Sequence, residues 1–405
     1  MPLLSKQLSE LVLAGVSGAQ ADGVIPSFEL PEGIHLTRPK RREWGDYSTA
    51  LPLQLAKLIE LSPVVIANHI QDYLPKRGMI AHSTVSEPGF LNVTLSSDWL
   101  CSQVTRVISE GSSFADIDLY SNQNAQVEFV SANPTGPLTV GHGRGGVLGD
   151  TLSNLLGAVG YRVTREFYYN NAGQQMRKLG ESLKVRYMQS LGMTVQLLED
   201  HYQGEYLTSL GADLVEHYSD SLLDEGWETF KDLAEEDISA KQHRTLRKLN
   251  IVMDVLYNEH SLYEDGSIDK VVNKLRHDKL AYDKDGAVWL AVKELGGSDD
   301  RVIVKSTGEP TYRLPDIAYH CNKMERNFDL VIDVLGADHK DAFPDVILGV
   351  KAMGYKADRI KMLMHQFVNI KGERMSKRSG NFISLDDLID EVGADVVRFF
   401  MLMRA

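Results

Sequence analysis

The chain has 405 residues, 43% of them hydrophobic and 24% charged, enough for two or three domains with proper cores and too balanced for a disordered, collagenous or membrane protein. Lys plus Arg number 43 against 56 Asp plus Glu, a net charge of −13, so nucleic acid cannot be held by overall charge and needs a local basic face. The two cysteines, Cys101 and Cys321, match neither a disulfide framework nor a zinc spacing and are expected to be buried.

The first residues, with Leu4, Leu8, Leu11 and Val12 among Lys6, Gln7, Ser9 and Glu10, read as an amphipathic helix without a secretory apolar core. No apolar run reaches the ~20 residues that span a bilayer, so the expected location is the cytoplasm. Residues 1 to about 60 read as two helical stretches around a loop, Glu29 to Thr49, carrying the densest basic cluster of the chain: Arg38, Lys40, Arg41 and Arg42. Strand-like alternation follows over 78–96, with Glu87-Pro88-Gly89 as its turn, and an α+β unit ends near Asp116.

From Gln126 the text changes. An apolar strand, Val127 to Val130, leads through a Pro/Gly-rich loop into a helix with Val147, Leu148, Leu152, Leu155 and Leu156 on one face; a second strand runs from Arg162 to Tyr169. Such a βαβ unit belongs in a parallel sheet. Lys178 to Leu280 reads as a charged helical insertion. Val288–Val292, Val302–Lys305, Leu330–Leu335 and Phe367–Ile370 then read as strands of the same sheet, split by the insertion. A helix capped by Ser384, with Asp387 completing the capping box, precedes Gly393 and an apolar face ending in Met401 and Met403, which suggests that a further domain belongs there and that the chain is a fragment.

Gly141-His142-Gly143-Arg144-Gly145-Gly146 matches the dinucleotide pattern G-x-G-x-x-G, but ten residues with two prolines separate it from Val130. The dinucleotide fingerprint needs its turn straight off the strand, so a nicotinamide or flavin enzyme is disfavoured. A phosphate site at a helix N-terminus fits better. A second cluster, Arg374-Met375-Ser376-Lys377-Arg378-Ser379, offers cations of the kind that neutralise a pyrophosphate leaving group.

Taken together, Thr139-Val140-Gly141-His142 and Arg374-Met375-Ser376-Lys377 resemble the HIGH and KMSKS signatures of class I aminoacyl-tRNA synthetases. Glu128 to Pro137, Asn170 to Gln175, Pro310 to His320 and Gly336 to His339 narrow the resemblance to arginyl-tRNA synthetases, over essentially the whole chain. The fold it implies is α/β: a Rossmann-like parallel sheet with a helical insertion, preceded by a small α+β domain. The boundaries expected are 1–116 for an N-terminal domain contacting the tRNA elbow, 117–185 and 281–392 for the two halves of the catalytic domain, 186–280 for the insertion, and 393–405 for the start of a C-terminal helical domain.

The resemblance implies ATP, with Mg²⁺ arriving on it and no metal ligands of the protein's own. Around ATP it places Gly141, His142, Gly336, Asp338, Val368, Met375, Ser376 and Lys377, with His142, Thr139, Lys377 and Arg374 acting in catalysis. For L-arginine it implies Glu128, Asn133, Tyr312, Asp316, His339 and Glu259. A guanidinium is planar, permanently charged and rich in donors, so carboxylates with an aromatic neighbour suit it; Asp316 or Glu259 with Tyr312 would take that end, Asn133 and Glu128 the α-amino end. Asn171 and Gln175 are further candidates for positioning substrate. The partner implied is tRNA(Arg), reached in part through Arg38, Lys40, Arg41 and Arg42, and the protein is expected to be monomeric.

Thr139 stands where the signature has its first histidine. A hydroxyl can donate to a phosphate oxygen but carries no imidazolium charge, and losing a comparable donor typically costs about 100- to 1000-fold in rate. An arginine- and ATP-binding paralogue without efficient catalysis is therefore the alternative, and impaired activity is expected of a chain lacking an anticodon-binding domain.

Overall fold

The computed structural model describes residues 4–76, 78–366, 368–370, 373–374 and 383–403, with the backbone alone at 338, 369–370 and 373–374. They divide into two units: residues 1–119 with 158–160, and residues 120–157 with 161–405.

In the first unit, helix α1 (Leu4–Ala21) turns Leu8, Val12, Val16 and Ala19 inward, the i, i+4, i+8, i+11 series of one helix face. Strand β1 (Tyr47–Thr49), helices α2 (Leu51–Ile59) and α3 (Pro63–Asp72), and strands β2 (Ile80–Ser86) and β3 (Phe90–Leu95) complete that core. The strands form an antiparallel sheet in the order β1-β3-β2. The loop before it is shorter than expected, because Tyr47–Thr49 pairs with β3. Arg38, Lys40, Arg41 and Arg42 are all exposed or half-buried on its surface, and the Arg41 guanidinium lies 5.2 Å from the Trp44 ring centroid. Helix α4 (Ser97–Glu110), capped by the Ser96 hydroxyl, buries none of its residues. That corrects one expectation: Cys101 sits on α4 and is exposed, whereas Cys321 is buried.

In the second unit, β4 (Asn124–Glu128), α5 (Val140–Ala158) and β5 (Arg162–Tyr169) form the expected βαβ unit, with β4 and β5 parallel. Helices α6 (Gln174–Ser190), α7 (Glu205–Tyr218) and α8 (Trp227–Lys248) pack around Leu179, Leu183, Tyr187 and Phe230. The helical run ends there, short of the expected Leu280. Strand β6 (Val255–Asn258) pairs parallel with β5 at the sheet edge, and only α9 (Ser261–Glu264) and α10 (Ser267–His277) follow before β7 (Ala281–Lys284).

A second correction concerns the strands near residue 290. β7, β8 (Ala287–Leu290) and β9 (Arg301–Val304) form a separate antiparallel sheet. The reason is local: Asp285 and Gly286 join β7 to β8 with φ of +54° and +74°, a two-residue Asp-Gly turn of the kind that makes hairpins, and two residues cannot connect parallel strands. The chain returns to the main sheet through α11 (Arg313–Glu325), β10 (Leu330–Gly336), α12 (Phe343–Ala352) and β11 (Ile360–His365), the last a strand that the sequence pattern does not announce. Of the segment expected as a strand over 367–370, Asn369–Ile370 is β12, paired antiparallel with β13 (Glu373–Arg374). Helices α13 (Leu385–Val392), capped by Ser384, and α14 (Ala394–Met403) end the described chain.

The main sheet has the order β11-β10-β4-β5-β6, all neighbours parallel. From β4 the chain builds outward to β5 and β6, then returns to β4's other side with β10 and β11. The order therefore reverses between β4 and β10, and in such sheets a crevice opens beyond the carboxyl ends of the strands at that switch point.

Candidate active site

A cavity of about 910 Å³ occupies that crevice. Glu128, Val130 and Ser131 enter it from the end of β4, Asp333 to Gly336 from β10, Tyr168 and Asn170 from β5, Glu259 from the turn after β6, and Tyr312, Asp316, Tyr319 and His320 from α11 and its cap. Thr139, Gly141, His142, His339, His365 and Val368 complete it. Of the residues expected at the site, Glu128, Asn133, Tyr312, Asp316, His339, Glu259, Thr139, Gly141, His142, Gly336, Val368 and Gln175 are brought together here. Asn171 is not: it donates to Glu235 at 2.7 Å and faces a separate cavity of about 430 Å³. Asp338 and Arg374 are described by backbone alone, and Met375, Ser376, Lys377 and Arg378 lie outside the described residues.

The glycine-rich segment is helix rather than loop. Thr139 precedes the first turn of α5, its carbonyl accepting from Gly143 N–H at 3.2 Å. The Thr139 N–H donates to His142 Nδ1 at 3.0 Å, so the imidazole does what Glu does in a capping box, and a neutral His142 carries its proton on Nε2. The Thr139 hydroxyl lies 2.8 Å from the same Nδ1, so it is engaged with the ring. The glycines mostly serve packing: a Cβ on Gly143 would lie 2.6 Å from Leu385 Cδ1, and one on Gly145 2.9 Å from His365 Nε2.

Those neighbours flank the second basic segment. Leu385 N–H donates to Leu138 O at 2.8 Å and Val140 N–H to Ile383 O at 3.4 Å, while Arg144 donates to Gln366 O at 3.1 Å. Both flanks of residues 371–382 therefore lie against the start of α5, whose first-turn N–H groups and positive dipole end favour an anion.

The opposite wall is acidic, and its carboxylates differ in company. Glu128 accepts from the Ser131 hydroxyl at 2.8 Å and from Lys323 at 2.6 Å. Lys323, fully buried, also donates to Asp333 at 2.5 Å, and Asp333 takes His320 Nε2 at 2.9 Å. Burial alone would lower the Lys323 pKa; Asp333 and Glu128 outweigh it and hold it at about 12. The same cations hold Asp333 well below the usual carboxylate range against its own burial. Glu259, 9% exposed, accepts from the Tyr168 hydroxyl at 2.6 Å and from Asn170 Nδ2 at 2.8 Å. Among the described residues Asp316 has no such cation. Burial pushes its pKa up to about 6; His320 and His339 oppose this, and Glu128 and Glu259 add to it. Tyr312, 87% exposed, stands at the rim.

Ser131 gets its place from strained backbone. Val130 and Ser131 have φ of +70° and +42°, a left-handed conformation that is costly for a β-branched residue. The turn aims the Ser131 hydroxyl at Glu128, and the same oxygen accepts from Tyr168 N–H at 3.2 Å. Tyr168, Tyr319, Lys323 and Asp333 belong to the site although none of them is among the residues expected there. One signal in the sequence could: Tyr312, Asp316, Tyr319, His320 and Lys323 recur at helical spacing, a polar stripe on what is otherwise the buried face of α11.

A doubly wound parallel sheet with a helix start and an acidic pocket meeting at its switch point is the arrangement of a class I aminoacyl-tRNA synthetase. Residues 103–400 match the family description "tRNA synthetases class I (R), catalytic domain", and residues 4–95 match "Arginyl tRNA synthetase N terminal domain". An arginine–tRNA ligase of Desulfotalea psychrophila is 46% identical over 372 residues, covering 90% of this chain and 67% of that one. One of Prosthecochloris aestuarii is 44% identical over 414 residues, covering 98% and 74%. The solved arginyl-tRNA synthetase of Thermus thermophilus superposes with a TM-score of 0.64, covering 99% of this chain and 74% of that one; at 19% identity this likeness concerns the fold. The chain belongs to the arginyl-tRNA synthetases, a class I, ATP-using family of arginine–tRNA ligases.

Proposed function

We propose that the cavity condenses L-arginine with ATP and that the arginyl group then passes to tRNA(Arg). An oxygen of the arginine carboxylate attacks the α-phosphorus, the bond to the β-phosphate oxygen breaks, and pyrophosphate leaves with that electron pair. The terminal ribose hydroxyl of the tRNA next attacks the carbonyl carbon, loses its proton and displaces AMP. The observation that carries this reading is that one cavity is lined both by a helix N-terminus with His142 and by the carboxylates of Asp316 and Glu259.

In this reading the guanidinium lies between Asp316 and Glu259 with Tyr312 over the entrance, while Asn133 and Glu128 face the α-amino end. His339 stands between the two ligands. Gly141, His142, Gly336, Asp338 and Val368 surround the nucleotide, and Thr139 orients His142. Arg374 and Lys377 supply positive charge to the triphosphate, with Met375 and Ser376 beside them at the nucleotide. Mg²⁺ enters on the phosphates and screens their charge; among the described residues no group of three His, Cys, Asp or Glu converges to hold a metal. The protein's own contribution is positioning and charge stabilisation.

The loop bearing Arg38, Lys40, Arg41 and Arg42 is a phosphate-contacting surface for tRNA. The domain assignment proposed is 1–116, 117–185 with 281–392, 186–280 and 393–405, as the resemblance implies. Among the described residues no single helix is long and apolar enough to cross a membrane, and the proposed setting is a cytoplasmic monomer.

The test is arginine-dependent pyrophosphate exchange with and without tRNA(Arg), beside calorimetry with arginine and ATP. The family resemblance carries a dependence of activation on tRNA, so these 405 residues by themselves are expected to exchange weakly; robust exchange without tRNA would contradict that. The second reading, a binding paralogue, is motivated by Thr139 in place of the signature histidine: both ligands bound, and no exchange with tRNA(Arg) present even after Thr139→His, would establish it. Failure to bind arginine at all would refute the assignment.

A further inference from the structure

Glu259 is an acceptor whose direction is set by its neighbours. Its two oxygens are taken separately, one by the Tyr168 hydroxyl at 2.6 Å and the other by Asn170 Nδ2 at 2.8 Å. A carboxylate offers roughly four lone-pair sites, so these donors fill part of the set and leave acceptor sites for a further donor. Tyr263 faces the same carboxylate, its pKa pushed up to about 12 by burial first and Glu259 next.

Neither donor is free to turn. The Tyr168 ring packs against Tyr319, centroids 4.5 Å apart, and stacks near-parallel with Tyr257 at 6.2 Å. Burial and the Glu259 charge hold its phenol far above its ordinary pKa, so it stays a donor. Asn170 is oriented by its other contacts. Its Oδ1 accepts from Ala172 N–H at 2.8 Å, which leaves Nδ2 for Glu259 and fixes the amide without ambiguity. Its backbone N–H donates to Asn133 Oδ1 at 2.9 Å, and Asn133 Nδ2 donates in turn to Gln175 Oε1 at 3.1 Å. One wall of the cavity is thus a continuous hydrogen-bonded run: Gln175, Asn133, Asn170, Glu259, Tyr168.

We propose that Tyr168 and Asn170 are positioning residues that set the selectivity for a charged guanidinium, by clamping the Glu259 carboxylate in the direction the side chain must meet. The inference rests on the arginine pocket proposed above and deepens it. The run also ties the residue at the α-amino end, Asn133, to the one at the guanidinium end through a single asparagine. The wall therefore works as a ruler for the length of the substrate as well as its charge.

The experiment is titration calorimetry of the full 405-residue chain with arginine and with citrulline, its neutral isostere, in wild type, Tyr168→Phe and Asn170→Ala. Tyr168→Phe keeps the ring against Tyr319 and Tyr257, so it retains the packing if Asn170→Ala proves unstable. The expected result is about tenfold weaker arginine binding in each variant, the worth of one charge-assisted hydrogen bond, with citrulline changed about twofold or less. The arginine-to-citrulline ratio falls accordingly. Equal weakening of both ligands, or no change in the ratio for Tyr168→Phe, overturns the clamp while leaving the pocket standing. Wild-type protein that does not prefer arginine to citrulline overturns the pocket itself, and the clamp with it.

Discussion

Lowering the pH from 7 to 5 should weaken arginine binding about tenfold through one residue. Asp316 lines the cavity with no cation paired to it among the described residues, and burial pushes its pKa up to about 6. A guanidinium needs the ionised form. With a pKa near 6 that form makes up about ten parts in eleven at pH 7 and about one in eleven at pH 5, and the apparent dissociation constant rises by the same ratio. The stability effect has the opposite sense from that of a salt-bridged carboxylate. Because the folded pKa lies above the ordinary 3.8, the native state binds the extra proton, and the free protein loses stability as pH rises from about 4 to about 6. Two pKa units correspond to about 3 kcal/mol. Asp316→Asn should therefore stabilise the ligand-free protein at pH 7, flatten its stability across that window, and leave arginine binding weak and independent of pH. Calorimetry across pH 5 to 7 with urea denaturation of both proteins is the assay. A pH slope that survives in Asp316→Asn would refute the assignment, because another group would then be the one titrating.

Lys323→Met should destabilise the second unit by about 3 to 5 kcal/mol, since it strands Glu128 and Asp333 as buried charges; a loss of unfolding free energy in urea below about 1 kcal/mol would mean the ammonium is not their counter-charge. Gly149→Ala should cost about 1 to 3 kcal/mol by overpacking, because the added methyl meets the Phe129 ring; an unchanged melting temperature would show that α5 shifts to accommodate it. Replacing Arg38, Lys40, Arg41 and Arg42 together with Ala should weaken tRNA binding and make it less sensitive to salt, by up to about one unit of slope for each phosphate these side chains neutralise. Filter binding at several salt concentrations measures this, with an unchanged melting temperature expected alongside.

Much of the local structure is legible without coordinates. The i, i+4 series in α1, the βαβ pattern after Gln126 and the Ser384 cap are short-range statements in which neighbours in sequence determine the backbone. The departures also have local causes. Asp285-Gly286 carries the hairpin signal that separates β7 and β8 from the main sheet, a two-residue connection that outweighs the apolar character of the strands around it. Burial of Cys101, expected from its residue type, fails because α4 turns only Trp99, Gln103 and Arg106 partly inward, and Cys101 lies on its exposed side. The glycines from 141 to 146 look like a phosphate loop in sequence; in the structure most of them let α5 pack against Leu385, His365 and the residues after β4.

The residue types at the site can be named from the sequence: a histidine at a helix start, and carboxylates and an aromatic suited to a guanidinium. What each carboxylate is worth cannot. Glu128 is neutralised by Lys323, a partner 195 residues away; Glu259 accepts from Tyr168, 91 residues away; and Asp316, on the same helix as Lys323, has no cation paired to it among the described residues. Coulomb and hydrogen-bond energies depend on distance in space and on burial, and neither is written in the spacing of a motif, so the chemistry's ingredients were settled by composition and pattern while their charge and direction were settled by the sheet that brought them together.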